Sequence, residues 1–128
     1  MIFMITEDYC SPEVAKLLDK KGFREYCEAI YFILENGDYR WSKIDIPIRD
    51  CSTCKSAAIL CPTHQMAIKW LRCKGIYIEI DILGKTNIKY GFTILKLNEG
   101  EIYSDDKIYT TFEETVEAAL HFVLKNLI

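Results

Sequence analysis

Long hydrophobic runs are missing from this 128-residue sequence. Met1–Ile5 is apolar but meets Glu7 and Asp8, well short of a signal-peptide core. Later apolar runs such as Ala57–Cys61 are far below the roughly 20 residues that cross a bilayer as a helix. Asn126-Leu127-Ile128 carries no lipidation signal. No membrane association is therefore expected, and a reducing cytoplasmic location is. A basic stripe is missing too. The chain has 16 basic and 19 acidic residues, a formal charge of −3, and only Lys16, Lys20, Lys21 and Arg24 gather, with Asp19 among them. That reads as a solvated helix face, so no nucleic acid is expected as a partner. The six glycines are isolated, so none forms a phosphate-cradling loop. Proline is scarce, with three residues, and no linker or repeat interrupts the chain, which reads as a single domain over 1–128.

What is present is globular composition. Half of the residues are hydrophobic, 27% are charged and mean hydropathy is +0.01, too apolar for disorder. A chain of this size buries roughly two-thirds of its unfolded surface and needs neither metal nor disulfide to fold. Its six cysteines, at 10, 27, 51, 54, 61 and 73, read in a reducing compartment as thiols or metal ligands rather than bridges.

Three helices announce themselves by their ends. Ser11-Pro12-Glu13 is a capping serine, a proline at a position that needs no N–H, and an acid near the positive helix end. Val14, Ala15, Leu17 and Leu18 form the buried side, and Gly22 followed by Phe23 predicts a left-handed stop with a hydrophobic contact to Leu18. A second helix starts near Pro62-Thr63, runs to about Cys73 and stops at Gly75, with Met66/Trp70 and Ala67/Leu71 spaced as i,i+4 pairs. A third begins at Thr111, with Glu114 completing a capping box and Val116, Ala119, Leu120, Val123 and Leu127 at helical spacing.

Between the second and third helices the period becomes two. Ile76, Ile78, Ile80 and Ile82 share one strand face, and Ile88, Tyr90, Phe92 and Ile94 continue the pattern after a turn. Matching the two apolar faces requires an odd-length loop, and three residues with Asn87 left-handed would serve. A further strand is expected around Glu101–Ser104. Residues 28–35 fit either a helical stripe or a strand; Asn36-Gly37 favours a hairpin, whose two-residue turn would pair Leu34 with Tyr39 and Phe32 with Trp41. The expected fold is an α+β two-layer sandwich, an antiparallel sheet of four to five strands with three helices, in the order α-β-β-α-β-β-(β)-α.

One constellation stands out chemically. Cys51-Ser52-Thr53-Cys54, six residues, then Cys61-Pro62-Thr63-His64 could close a tetrahedral zinc site from Cys51, Cys54, Cys61 and His64. Against it, Ser56–Leu60 looks like core-facing chain, and His64 would have to turn back from the first turn of a helix. The plainer reading, separate half-buried cysteines and a surface histidine, is preferred, and no cofactor is required. Cys51 and Cys54 as a redox pair would want a helix N-terminus directly after a strand, which the spacing does not supply. A cysteine-dependent enzyme would use Cys61, placed at a helix cap that favours a thiolate, but the only histidines are His64 on the same turn and His121, read as packing. Tyr39, Trp41, Tyr77, Tyr90 and Tyr103 would suit a partner surface, though aromatics are favoured in any sheet core.

The string Pro62-Thr63-His64-Gln65-Met66-Ala67-Ile68-Lys69-Trp70-Leu71-Arg72, together with Cys10–Phe23 and Thr111–Ile128, resembles a group of small uncharacterised proteins of gut Bacteroides-type bacteria and their phages and mobile elements. The likeness covers about half the chain and brings no catalytic residues. It implies a bacterial or phage accessory protein. The function expected from the sequence is accordingly a non-enzymatic protein-interaction module, partnered by another protein through an open sheet face or the edge of a hairpin. Its oligomeric state is left open.

Overall fold

In a computed structural model of the chain, residues 7–51 and 57–128 are described. The element order is α1 (Pro12–Lys20), β1 (Cys27–Ile33), β2 (Tyr39–Ile48), β3 (Ala58–Leu60), α2 (His64–Arg72), β4 (Ile76–Leu83), β5 (Lys89–Lys96), a 3-10 turn (Leu97–Glu99), β6 (Glu101–Tyr103) and α3 (Phe112–Asn126). The fold is α+β with three helices, but the strands form two three-stranded antiparallel sheets, ordered β2-β1-β3 and β4-β5-β6, instead of one sheet of four to five. The added element is β3. Three residues are too few to show a period of two, and Ala58–Leu60 reads only as a short apolar run until it pairs with Phe32–Ile30. With β3 closing one side of β1, and α2 separating β3 from β4, the second hairpin starts a sheet of its own.

The helix ends follow their residues. The Ser11 and Thr63 hydroxyls accept from the backbone N–H of Val14 and Met66, both at 3.2 Å, and Thr111 accepts from Glu114 at 3.1 Å. After α1, Phe23 N–H reaches Leu18 C=O at 3.0 Å and Gly22 N–H reaches Asp19 C=O at 3.2 Å, with Gly22 at φ 88°, the Schellman ending its sequence predicts. Glu114 departs from the full capping box, since its carboxylate accepts from Thr110.

Both hairpins correct the expected turn. Residues 28–35 are strand through Ile33, but the register is Ile33↔Tyr39 and Tyr31↔Trp41, one residue away from the two-residue turn. Leu34 C=O accepts from Gly37 N–H at 2.9 Å, Gly37 has φ 89°, and Leu34 N–H reaches Asp38 C=O, so the loop is the three-residue 35–37 with a left-handed glycine closing it. In the second hairpin Ile78↔Ile94, Ile80↔Phe92 and Ile82↔Tyr90 match apolar face to apolar face as the parity argument requires. Its loop has five residues, 84–88, and the left-handed position is Gly84, not Asn87.

The main core lies between α3, the apolar face of β4 and β5, and the buried sides of α1 and α2. Leu18, Phe23, Leu71, Ile76, Phe92, Ile94, Leu120 and Leu124 are its largest fully buried members. A second cluster of Ala15, Ala29, Tyr31, Ile59 and Cys61 sits where α1 meets the first sheet. Among the described residues no helix is long and apolar enough to cross a membrane.

Candidate functional site

Three helices meet at one polar point. Ser11 caps α1, His64 is the first residue of α2, and Glu117 lies midway along α3. Glu117 Oε1 is 2.8 Å from His64 Nε2 and accepts the Ser11 backbone N–H at 2.8 Å. The backbone closes the junction around them: Cys10 N–H donates to Pro62 C=O at 2.9 Å and His64 N–H to Asp8 C=O at 2.8 Å. His64 is buried at 7% exposure, which corrects the surface histidine read from the sequence. The signal available was Thr63 as N-cap, because an N1 residue beside a fully buried Leu71 and Ala67 is drawn inward with the helix.

Cys10 lies immediately before Ser11 and is fully buried, its Sγ 3.9 Å from Thr63 C=O. The Tyr31 hydroxyl donates to Cys10 C=O at 2.6 Å, and Cys61 Sγ lies 3.5 Å from the same oxygen. Burial, with the nearby Glu117 charge second, holds the Cys10 thiol well above the ordinary cysteine value. Burial likewise pushes the Cys61 thiol up to about 11, although hydrogen bonds with Tyr31 and Trp41 pull the other way. For Glu117, burial opposes ionisation, but the hydrogen bonds from His64 and Ser11 outweigh it and keep the carboxyl below the usual glutamate value.

Two depressions reach this junction. A groove of about 1040 Å³ beside α2 is lined by Cys61, His64, Lys69, Arg72, Tyr26 and Glu28 among others. A second, of about 600 Å³, is lined by Asp8, Tyr9, Ser11, His64, Tyr109, Glu113, Glu114 and Glu117. Ligand atoms of Cys10, His64 and Glu117 lie within 4.8 Å of one another, so these residues could hold a metal ion. The sequence missed two of the three. Cys10 and Glu117 stand 107 positions apart, and no local spacing connects them.

The sequence-derived quartet is distributed differently. Cys54 lies outside the described residues. Cys51 is half-buried at the end of the first sheet, Cys61 is buried in the second cluster, and His64 turns to Glu117. Cys61 does not cap α2 either; Thr63 does. A thiol buried there, with its ionisation pushed up, lacks the activation that a nucleophile needs. His121 is half-buried, and its Nε2 lies 2.9 Å from Glu13 Oε1. Tyr39 and Trp41 fall on the first sheet, and Tyr77, Tyr90 and Tyr103 on the second, so these aromatics do not make one face.

The second sheet has a different kind of exposed feature. β4 pairs with β5 without interruption from Ile76↔Lys96 to Leu83↔Lys89, and among the described residues no strand pairs with its other side. Tyr90 exchanges hydrogen bonds with Tyr109 in both directions, at 2.9 and 2.8 Å, so its backbone polar groups face away from β4. Its partner Ile82 is therefore a non-hydrogen-bonded pair, and by alternation Ile78, Ile80 and Ile82 direct their N–H and C=O groups to the free side. No family model, curated protein or solved structure matches the chain.

Proposed function

We propose that the protein is a non-enzymatic interaction module that takes up an extended segment of another protein along β4. The observation that carries this reading is the free edge itself. Edges of this length are ordinarily blunted by lysine, proline or a bulge. β2, the long outer strand of the other sheet, has all three: Lys43, Pro47 and a register break between Cys27 and Ala29 of its partner. β4 has none of them over Ile76–Leu83, and Ile82 at its end is 71% exposed.

The charge on β4 favours a foreign strand over a second copy. Glu79 and Asp81 share the face opposite the isoleucines. Central antiparallel registers of β4 with itself would set Glu79 against Glu79 or against Asp81, which is destabilising for directly opposed residues. A partner strand with Lys or Arg on that face and apolar residues on the other satisfies both sides at once. This is strand addition, in which main-chain hydrogen bonds supply affinity and alternate side chains supply choice. The accessory role implied by the resemblance of Pro62–Arg72 to small uncharacterised bacterial and phage proteins would fit such a module.

The test is direct. An eight-residue peptide alternating Val and Lys is expected to bind and to weaken with added salt, while its Val/Glu counterpart does not bind. Ile82→Lys should cost about tenfold or more in affinity, the equivalent of about 1.4 kcal/mol. Equal binding of both peptides, or of neither, would refute the proposal.

A further inference from the structure

We propose that Cys10, His64 and Glu117 form a binding site for one divalent ion of the zinc class, open at its fourth position toward the depression beside Tyr9 and Tyr109. The donor set is a thiol, an imidazole and a carboxylate, the three side-chain types zinc accepts, and three protein ligands with one open position is the pattern of a non-structural zinc centre. Each ligand comes from a different part of the chain: the segment before α1, the first turn of α2 and the middle of α3. The site is thus fixed by the packing of the helices, not by a flexible loop.

The geometry needs only a small adjustment. Bonds of roughly 2.0–2.3 Å place neighbouring tetrahedral ligands roughly 3–4 Å apart. The atoms already lie within 4.8 Å, and the 2.8 Å contact of His64 with Glu117 would open slightly as the ion enters. A supporting shell is in place. The Ser11 N–H holds Glu117 Oε1, and the His64 and Cys10 main chains are tied to Asp8 and Pro62. Asp8, Glu113 and Glu114 line the entrance with negative charge, which concentrates cations there.

Binding would exchange a proton for the metal bond. Cys10 enters as a thiol, gives its proton to solvent and ligates as thiolate; the proton that His64 Nε2 shares with Glu117 passes to Nδ1, which frees Nε2 to ligate, and Glu117 ligates as carboxylate. One thiol proton is released for each ion that Cys10 ligates as thiolate.

The experiment uses the whole chain purified without a metal-affinity step and titrated with cobalt(II), then zinc(II). One cobalt per chain is expected, with a thiolate-to-cobalt charge-transfer band that zinc abolishes. The band should vanish in Cys10→Ser, while Glu117→Gln weakens binding by about tenfold or more. Cys51→Ser, Cys54→Ser and Cys61→Ser should retain it. If Cys10→Ser does not fold, the wild-type band and the other variants still decide. No band in the wild-type protein, or loss of the band in Cys51→Ser, Cys54→Ser or Cys61→Ser, would overturn the assignment.

Discussion

At the scale of single residues, Glu117 has the most to do. It is half-buried, ionised and shared between two helix starts, so its removal leaves His64 and the Ser11 N–H without their acceptor. Glu117→Ala is expected to destabilise by about 2 kcal/mol, measured by denaturant unfolding at neutral pH. The sign with pH follows from the depressed carboxyl. Its contribution is complete above the ordinary glutamate value of roughly 4.3 and is lost as the pH falls through the lower folded value, so the wild-type advantage over the Ala variant should shrink only in acid. The thiols make a second prediction. Cys73 is exposed, whereas Cys10, Cys27 and Cys61 are fully buried, and burial raises all three. Mass-mapped iodoacetamide labelling of the folded protein near neutral pH should find Cys73 modified well before those three. Early labelling of Cys61 would instead restore the nucleophile reading. Little of this junction was legible in advance. His64 could be placed at a helix start, but its burial and its partner depend on how α3 crosses α2, and no local pattern encodes that.

At the scale of elements, the caps were legible because each is a local hydrogen bond made by residues three apart. Thr63→Ala should therefore cost about 1 kcal/mol by thermal or denaturant unfolding, with the three-helix junction nearby making it sensitive to the start of α2. Turns were less legible. Face matching settles whether a loop is odd or even but not its length, so the β4–β5 parity could be read while the five-residue loop and the left-handed Gly84 could not. At Asn36-Gly37 the dipeptide suits both a two-residue turn and a three-residue loop closed by Gly37, and pairing of Ile33 with Tyr39 selects the second. Gly84 is the sharper test. A Cβ there would lie 2.5 Å from the Asn87 carbonyl oxygen at φ 87°, so Gly84→Ala should destabilise by about 2 kcal/mol or more. A neutral result would mean that the loop takes another course.

At the scale of the whole molecule, two small sheets share one set of helices, and each leaves an outer strand. The α+β class and the three helices were visible as periodicity, but the division into two sheets rests on β3, three residues whose partner lies 28 positions earlier. That division exposes β4 as an edge. The isoleucine alternation that identified the strand hid this consequence, because one strand's pattern does not say which neighbours it has. Ile82→Lys bears on the edge without disturbing the core. At 71% exposure it should change unfolding free energy by no more than about 0.5 kcal/mol while weakening strand uptake by about tenfold or more. The most direct measurement is residue-resolved amide hydrogen exchange of β4 in the free protein and with the Val/Lys peptide. In the free protein the amides of Ile78, Ile80 and Ile82 should exchange fast and those of Glu79 and Asp81 slowly, and the peptide should slow the first set. Slow exchange at Ile78, Ile80 and Ile82 in the dilute free protein would mean that the edge is already covered and would contradict the proposed role.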